Sequence, residues 1–319
     1  GKGDEIADRS FNFDEDGTEV KSMSIYEYGS VALTDGESGL RAISLDATQT
    51  EYSMVRTASY EASTSYLQGK KTSETYYDIH LGKGDEIADR SFNFDADGTT
   101  VKSVSIYEYG SDALSNGDTG LRAIAMGADE IDYAMVRTVS HEASATYLMG
   151  KKTSETYYDI HLGKGDEIAD RSFNFDADGT DVKSMSIYEY GSVQLAGGES
   201  GIRAAILTAD QTTYSMVRTV SYEASTTYLQ GNKTSETYYD IHLGKGDEIA
   251  DISFNFDRAG VNVKSMSIYE YGSVALTNGQ TGLRASAMGA DELDYSMVRT
   301  VSHDASTTYL QGKKTSETY

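Results

Sequence analysis

The chain has 319 residues and contains no cysteine, no proline and no tryptophan. Without cysteine there is no disulfide and no thiolate metal site. Long apolar runs are also missing: no stretch reaches the roughly 18 apolar residues needed to span a bilayer as a helix, so membrane insertion is not expected. No N-terminal stretch reads as a signal peptide. Positive charge is scarce, with 27 Lys and Arg against 51 Asp and Glu and a formal charge of −24. That balance argues against a nucleic-acid partner, which requires a basic stripe, and against an anionic membrane surface. Aliphatic residues are sparse, whereas tyrosine occurs 25 times. Tyrosine must therefore supply much of the apolar area, each ring burying about 150–250 Å² while its hydroxyl stays polar.

What the chain does have is repetition. The segment from Lys71 to Phe94, KTSETYYDIHLGKGDEIADRSFNF, recurs letter for letter at Lys152–Phe175 and with one change, Ile252, at Lys233–Phe256. The copies begin at Gly1, Gly82, Gly163 and Gly244, a spacing of 81 residues (82 − 1). The expected domains are therefore repeats at residues 1–81, 82–162, 163–243 and 244–319, the last truncated. Gly1 resumes the pattern after the position of Leu81, and Tyr319 stops inside it, so the expectation is a window onto a longer array. A second period overlies the first: Tyr60 and Tyr222 alternate with His141 and His303, making a pair of 162 residues the alternative repeat.

Within one repeat the hydrophobic pattern has period two. Ser10–Asp14, Lys21–Tyr28, Ala42–Asp46, Tyr52–Ala62 and Lys71–Leu81 all alternate and read as strands. Turn signals separate them at Asp14–Gly17, Asp35–Gly39, Gln68-Gly69 and Gly82–Gly84, where glycine supplies positive φ and aspartate caps its own turn. Asp85–Arg90 is too short to stand as a helix. The expected fold is all-β, an elongated solenoid-like array of about five strands per repeat. Basic residues open the strands and an aromatic or apolar residue followed by an acid closes them. The closing aromatics are Phe13, Tyr26, Tyr60, Tyr77, Phe94, Tyr107, Tyr158, Phe175, Tyr188, Tyr222, Tyr239, Phe256 and Tyr269.

The strand-end motifs Phe94-Asp95-Ala96-Asp97-Gly98, Tyr107-Glu108-Tyr109-Gly110 and Tyr157-Tyr158-Asp159 resemble the tyrosine-aspartate repeats of Rhs-type and related giant bacterial surface proteins. The resemblance implies long β-sheets wound into spirals or shells outside the cytoplasm. The Gly-Arg-Leu that usually follows the turn in that family is absent, since Gly98 leads into Thr99-Thr100-Val101.

Candidate sites are few. Asp14 and Asp16, with their counterparts Asp95, Asp97, Asp176 and Asp178, could begin an oxygen-rich Ca²⁺ loop, but the distal bidentate glutamate of a full loop is missing; a hairpin turn explains the same letters. His80, His161 and His242 fall on the face that reads as polar, beside Asp78, Asp159 and Asp240, without a second ligand at metal spacing. Gly82-Lys83-Gly84-Asp85 reads as a turn rather than a phosphate cradle. Asn232-Lys233-Thr234 is an N-glycosylation sequon in one repeat only. No Ser-His-Asp order or carboxylate pair marks a catalytic centre, and no cofactor is called for. The functional expectation is an extracellular or cell-surface structural protein, bacterial or archaeal, that self-associates into a fibre, stalk or surface layer. The alternatives are a multivalent adhesin or glycan-binding array and a wall segment of a Rhs-type shell.

Overall fold

The computed structural model describes residues 5–13, 20–62, 66–144, 147–289, 292, 295–305 and 309–319. The chain is all-β, and the strand pairings among the described residues whose register is resolved are antiparallel. It divides into two compact units, one of Gly1–Glu155 with Asp176–Thr180 and the other of Thr156–Phe175 with Asp181–Tyr319.

The first unit contains β1 (Arg9–Phe13), β2 (Val20–Gly29), β3 (Leu40–Arg41), β4 (Ser53–Ala62), β5 (Gln68–Asp78), β6 (Ile87–Phe94), β7 (Val101–Gly110), β8 (Ala134–Ala143) and the start of β9 (Met149–Asp159). The long strands hydrogen-bond in chain order, as a meander. The second unit contains β10 (Ile168–Phe175), β11 (Val182–Gly191), β12 (Ile202–Arg203), β13 (Ser215–Ala224), β14 (Gln230–Asp240), β15 (Ile249–Phe256), β16 (Val263–Gly272), β17 (Ser296–Ala305) and β18 (Gln311–Thr318), again paired in chain order. Register follows the sequence repeat: Arg9↔Ile25, Arg90↔Ile106, Arg171↔Ile187 and Ile252↔Ile268 are equivalent pairs.

The expected strand at Ala42–Asp46 is not one. Only Leu40–Arg41 pairs, against Glu27 and Tyr28 on the edge of β2 beyond the end of β1. The next three residues close a 3₁₀ turn, Leu45 N–H donating to the Ala42 carbonyl, and Ile43 is left 87% exposed. Equivalent turns lie at Ala123–Ala125, Ala204–Ile206 and Ala285–Ala287. Gln68-Gly69, expected as a turn, instead opens β5. His80 and Leu81, expected at the end of that strand, lie beyond it.

Bulges explain how the strands use both faces. Register slips at Asn12/Phe13, Glu27/Tyr28 and Ser59/Tyr60, and again at the equivalent positions of later strands. Each slip reverses which residues point inward. The core is a series of small clusters, such as Tyr76, Phe92, Val101 and Val104 in the first unit and Tyr238, Phe254, Val263 and Met266 in the second. At the strand ends the backbone needs glycine: Gly98 has φ 72°, and a Cβ there would stand 2.7 Å from the Lys70 Cβ.

Candidate functional site

The residues that hold these clusters together are charged. Arg56 in the middle of β4 faces Glu27 on β2 and Tyr76 on β5. It is 4% exposed, and the Glu74 beside it is wholly buried. Arg56 Nη1 donates to Glu27 Oε2 (2.8 Å) and to Ser38 Oγ (2.8 Å), and its Nη2 donates to Glu74. Lys71 also donates to Glu74, from three residues earlier on the same strand. The second carboxylate oxygen of Glu74 accepts from the Tyr76 hydroxyl (3.0 Å) and from the Tyr147 hydroxyl (3.0 Å). Tyr147 reaches this carboxylate from 73 residues away. A buried charge is costly unless it is paired and hydrogen-bonded; here two cations balance two carboxylates, although Arg56 Nε is buried without a hydrogen-bond partner.

Tyr147 achieves its reach through an uncommon backbone. Its φ is 62°, and Tyr66, Tyr228 and Tyr309 share the value to within a degree. The left-handed region costs a bulky residue on the order of 1 kcal/mol or more. In return the ring stacks edge-on against Phe92 (4.9 Å between centroids), which itself meets Tyr76 edge-on at 5.8 Å. The second unit repeats the set: Arg218 donates to Glu189 (3.0 Å), Ser200 (2.7 Å) and Glu236 (2.5 Å), while Lys233, Tyr238 and Tyr309 complete Glu236. Arg137 with Glu108, Glu155 and Lys152, and Arg299 with Glu270, Glu317 and Lys314, follow the same plan.

The electrostatics are those of a lock. Burial would raise the carboxyls of Glu74 and Glu236, but Lys71 and Arg56, or Lys233 and Arg218, outweigh it and hold them below the ordinary value of 4.5. Glu317 is pulled down to about 2 by its bonds from Lys314, Tyr319 and Arg299. Burial and the adjacent carboxylate push the Tyr147 and Tyr309 hydroxyls up to about 12, so they donate hydrogen bonds and do not ionise. A depressed carboxyl contributes stability that is fully present above its unfolded value and is lost as pH falls through the folded one. Circular-dichroism melts should therefore show the melting temperature falling steeply below about pH 4.5; an unchanged melting temperature from pH 5 to pH 3 would contradict the ionised network.

An open hollow of about 530 Å³ lies on the first unit, lined by Arg122, Arg137, His141, Lys151, Lys152 and Asp178 among others. His141 stands there where the first repeat has Tyr60, and burial, followed by Lys152 and Arg137, pushes its pKa down. The cations are engaged: Arg122 with Asp89 (2.6 Å), Arg137 with Glu108 (2.9 Å), Lys152 with Glu155 (2.6 Å) and Lys151 with the Ala177 carbonyl (2.7 Å).

Of the residues singled out for a cation loop, Asp14 and Asp16 lie outside the described residues. Asp97 spends its carboxylate on its own turn, accepting the N–H of Thr99 (2.6 Å) and Thr100 (2.8 Å) and the Thr100 hydroxyl (3.0 Å). A bond with Asp95, then these N–H groups, hold it well below the usual carboxylate range. Asp176 accepts the Thr180 N–H (3.1 Å), and exposed Asp178 lies 3.9 Å from Lys151 Nζ. No group of three or more His, Asp or Glu side chains placed to hold a metal occurs among the described residues.

The strand-closing aromatics divide. Phe13, Phe94, Phe175 and Phe256 end their strands, and Tyr77, Tyr158 and Tyr239 stand one residue from the end. Tyr60 and Tyr222 stand two residues from the end of β4 and β13. Tyr26, Tyr107, Tyr188 and Tyr269 lie inside their strands, three residues short of the end. Buried instead are their neighbours Tyr28, Tyr109 and Tyr190, whose hydroxyls donate to the carbonyls of Ala7, Ala88 and Ala169 (2.6 Å each). The face read as polar on β5 is the buried one, carrying Glu74, Tyr76 and Asp78. The sequon residue Asn232 donates its amide to the Arg258 carbonyl at 3.0 Å. Sequence reasoning missed the Arg56–Glu74–Tyr147 lock altogether. The available signal was that Arg56, Arg137, Arg218 and Arg299 recur, each followed 18 residues later by a glutamate.

The chain matches no family model and no curated protein sequence. Among solved structures it has a distant likeness to the crystal structure of TcdB2-TccC3-TEV, at 10% identity and a TM-score of 0.15, over 93% of this chain and 16% of that one. The likeness to TcdB2-TccC3-Cdc42 has 9% identity and a TM-score of 0.14, over 90% of this chain and 16% of that one. The chain thus spans 16% of the length of either structure. No helix among the described residues is long and apolar enough to cross a membrane.

Proposed function

We propose that the chain is an extracellular structural repeat array that self-associates into a fibre, stalk or surface layer. The observation that carries this reading is the bond from Tyr147 to Glu74 over 73 residues, with its copy from Tyr309 to Glu236. In each unit a later repeat supplies the last donor to a buried carboxylate of an earlier one, so that the earlier repeat is completed by its successor. Stability in such a chain is a sum of nearest-neighbour terms, a design suited to extension rather than to a single pocket. The strong acidity keeps separate chains apart at neutral pH.

Electron microscopy and light scattering of the full chain, taken from pH 7 towards the isoelectric point near 4.5, test the reading. Ordered filaments or layers should appear as the net charge falls. Monodisperse 34.7 kDa particles throughout that range, at high concentration, would overturn it. Binding of the dispersed chain to a glycan array would instead favour an adhesin.

A further inference from the structure

Three histidines occupy one setting. Just past the end of β5, the His80 N–H donates to Asp78 Oδ1 (3.0 Å), its ring Nδ1 meets the same oxygen, and its Nε2 lies 2.6 Å from the Met126 carbonyl oxygen. His161 sits likewise between Asp159 and the Leu207 carbonyl (2.6 Å), and His242 between Asp240 and the Met288 carbonyl (2.7 Å). Each carbonyl belongs to the residue that closes a 3₁₀ turn 46 positions onward.

Both ring nitrogens therefore face acceptors, a carboxylate on one side and a main-chain carbonyl on the other. A neutral imidazole has one N–H and can serve only one of them; the imidazolium has two and serves both. The Asp78 and Asp240 side chains are almost entirely buried, so losing the charged donor would leave a desolvated carboxylate poorly matched. Around His80, the turn brings the Ala123 and Met126 side chains, and Ile87, paired with Asp78 from β6, is also apolar. The charge acting on His80 among the described residues is Asp78, and on His161 it is Asp159.

We propose that the pairs Asp78–His80, Asp159–His161 and Asp240–His242 are acid-fastened clasps, each holding the following 3₁₀ turn through an imidazolium that donates from both ring nitrogens. This goes beyond a structural role: it makes the linkage between successive repeats depend on pH. The bonds that Asp78 and Asp159 accept from the imidazoles raise the pKa of His80 and His161 above the ordinary 6.5. A raised folded pKa contributes stability that is fully present below 6.5 and is lost as pH rises through the folded value. His141 has the opposite sign, because burial, Lys152 and Arg137 disfavour its protonation. The clasp must therefore be read as a difference between variants, not from one pH curve.

The test compares the full chain with the triple variant His80→Gln, His161→Gln, His242→Gln by thermal melts from pH 6 to pH 8.5, alongside ¹⁵N NMR of the imidazoles in the unmodified chain. At pH 7 three imidazoles should carry protons on both nitrogens. The variant should melt about 3 °C or more below the parent at pH 6, with the gap closing by pH 8.5. Melting curves that stay parallel across the range, or neutral single-N–H imidazoles at these three sites at pH 7, would overturn the proposal. Should the triple variant fail to fold, the NMR protonation states of the parent decide it alone.

Discussion

Replacing Glu236 by alanine should lower the local unfolding free energy of β13 and β14 by about 3–5 kcal/mol, the cost of breaking a buried ion pair from one side. The carboxylate is 1% exposed and takes bonds from Arg218, Lys233, Tyr238 and Tyr309. Lys233 can swing its ammonium to water, but Arg218 is held on β13 between Glu189 and Ser200 and stays buried. Its guanidinium would keep Glu189 but lose its second carboxylate, and the Tyr238 and Tyr309 hydroxyls would lose the acceptor they share. Replacing both partners, Arg218→Met with Glu236→Leu, should recover part of the loss: apolar side chains of similar volume carry no desolvation cost, while Glu189 loses its guanidinium and keeps the bond from the Gly201 N–H. Native-state hydrogen exchange reads both effects strand by strand, which suits a chain whose repeats need not unfold together. A loss below about 1 kcal/mol for Glu236→Ala, the range of a surface pair, would show that the carboxylate is not the hub of the network.

The strands were legible and the interior was not, for identifiable reasons. Period-two alternation located β1, β2, β4 and β5 because their side chains do alternate over most of their length. It also suggested a strand at Ala42–Asp46, where the backbone instead satisfies itself by a local turn; Ile43 alternates with its neighbours yet points at solvent. The inward face was hidden by the bulges at Glu27/Tyr28 and Ser59/Tyr60, which shift the phase within a strand without any mark in the letters. Glu74, in Thr-Ser-Glu-Thr, reads as a solvated acid. Its burial becomes favourable only once Arg56 and the distant Tyr147 are beside it, and neither contact is local. Tyr147 in the left-handed region runs against residue preference, since glycine or asparagine is expected at positive φ. The clasp histidines were visible as a motif, with Asp78 two residues before His80, but the carbonyl of Met126 that gives the imidazolium its second acceptor was not.

Phe173→Ala should destabilise β10 and its neighbours by about 3–5 kcal/mol, the usual range for emptying a buried aromatic site. The ring is fully buried, edge-on to Tyr157 at 5.8 Å and to Tyr228 at 4.9 Å. Two consequences add together: the lost transfer and packing energy of the ring, and the lost support for Tyr228, whose backbone sits at φ 61°. Without that wall the turn holding Tyr228 has less reason to keep a strained conformation, so its amides should exchange faster than those on the far strands. The control is Phe13→Ala. Phe13 belongs to the same Ser-Phe-Asn-Phe motif, but it is 45% exposed, and its nearest ring, Tyr66, lies at 6.4 Å. That substitution should cost about 1 kcal/mol or less, in line with a position already half in water. Equal losses at the two positions would mean that the motif, and not the burial, sets the energy, and the core would have to be sought elsewhere.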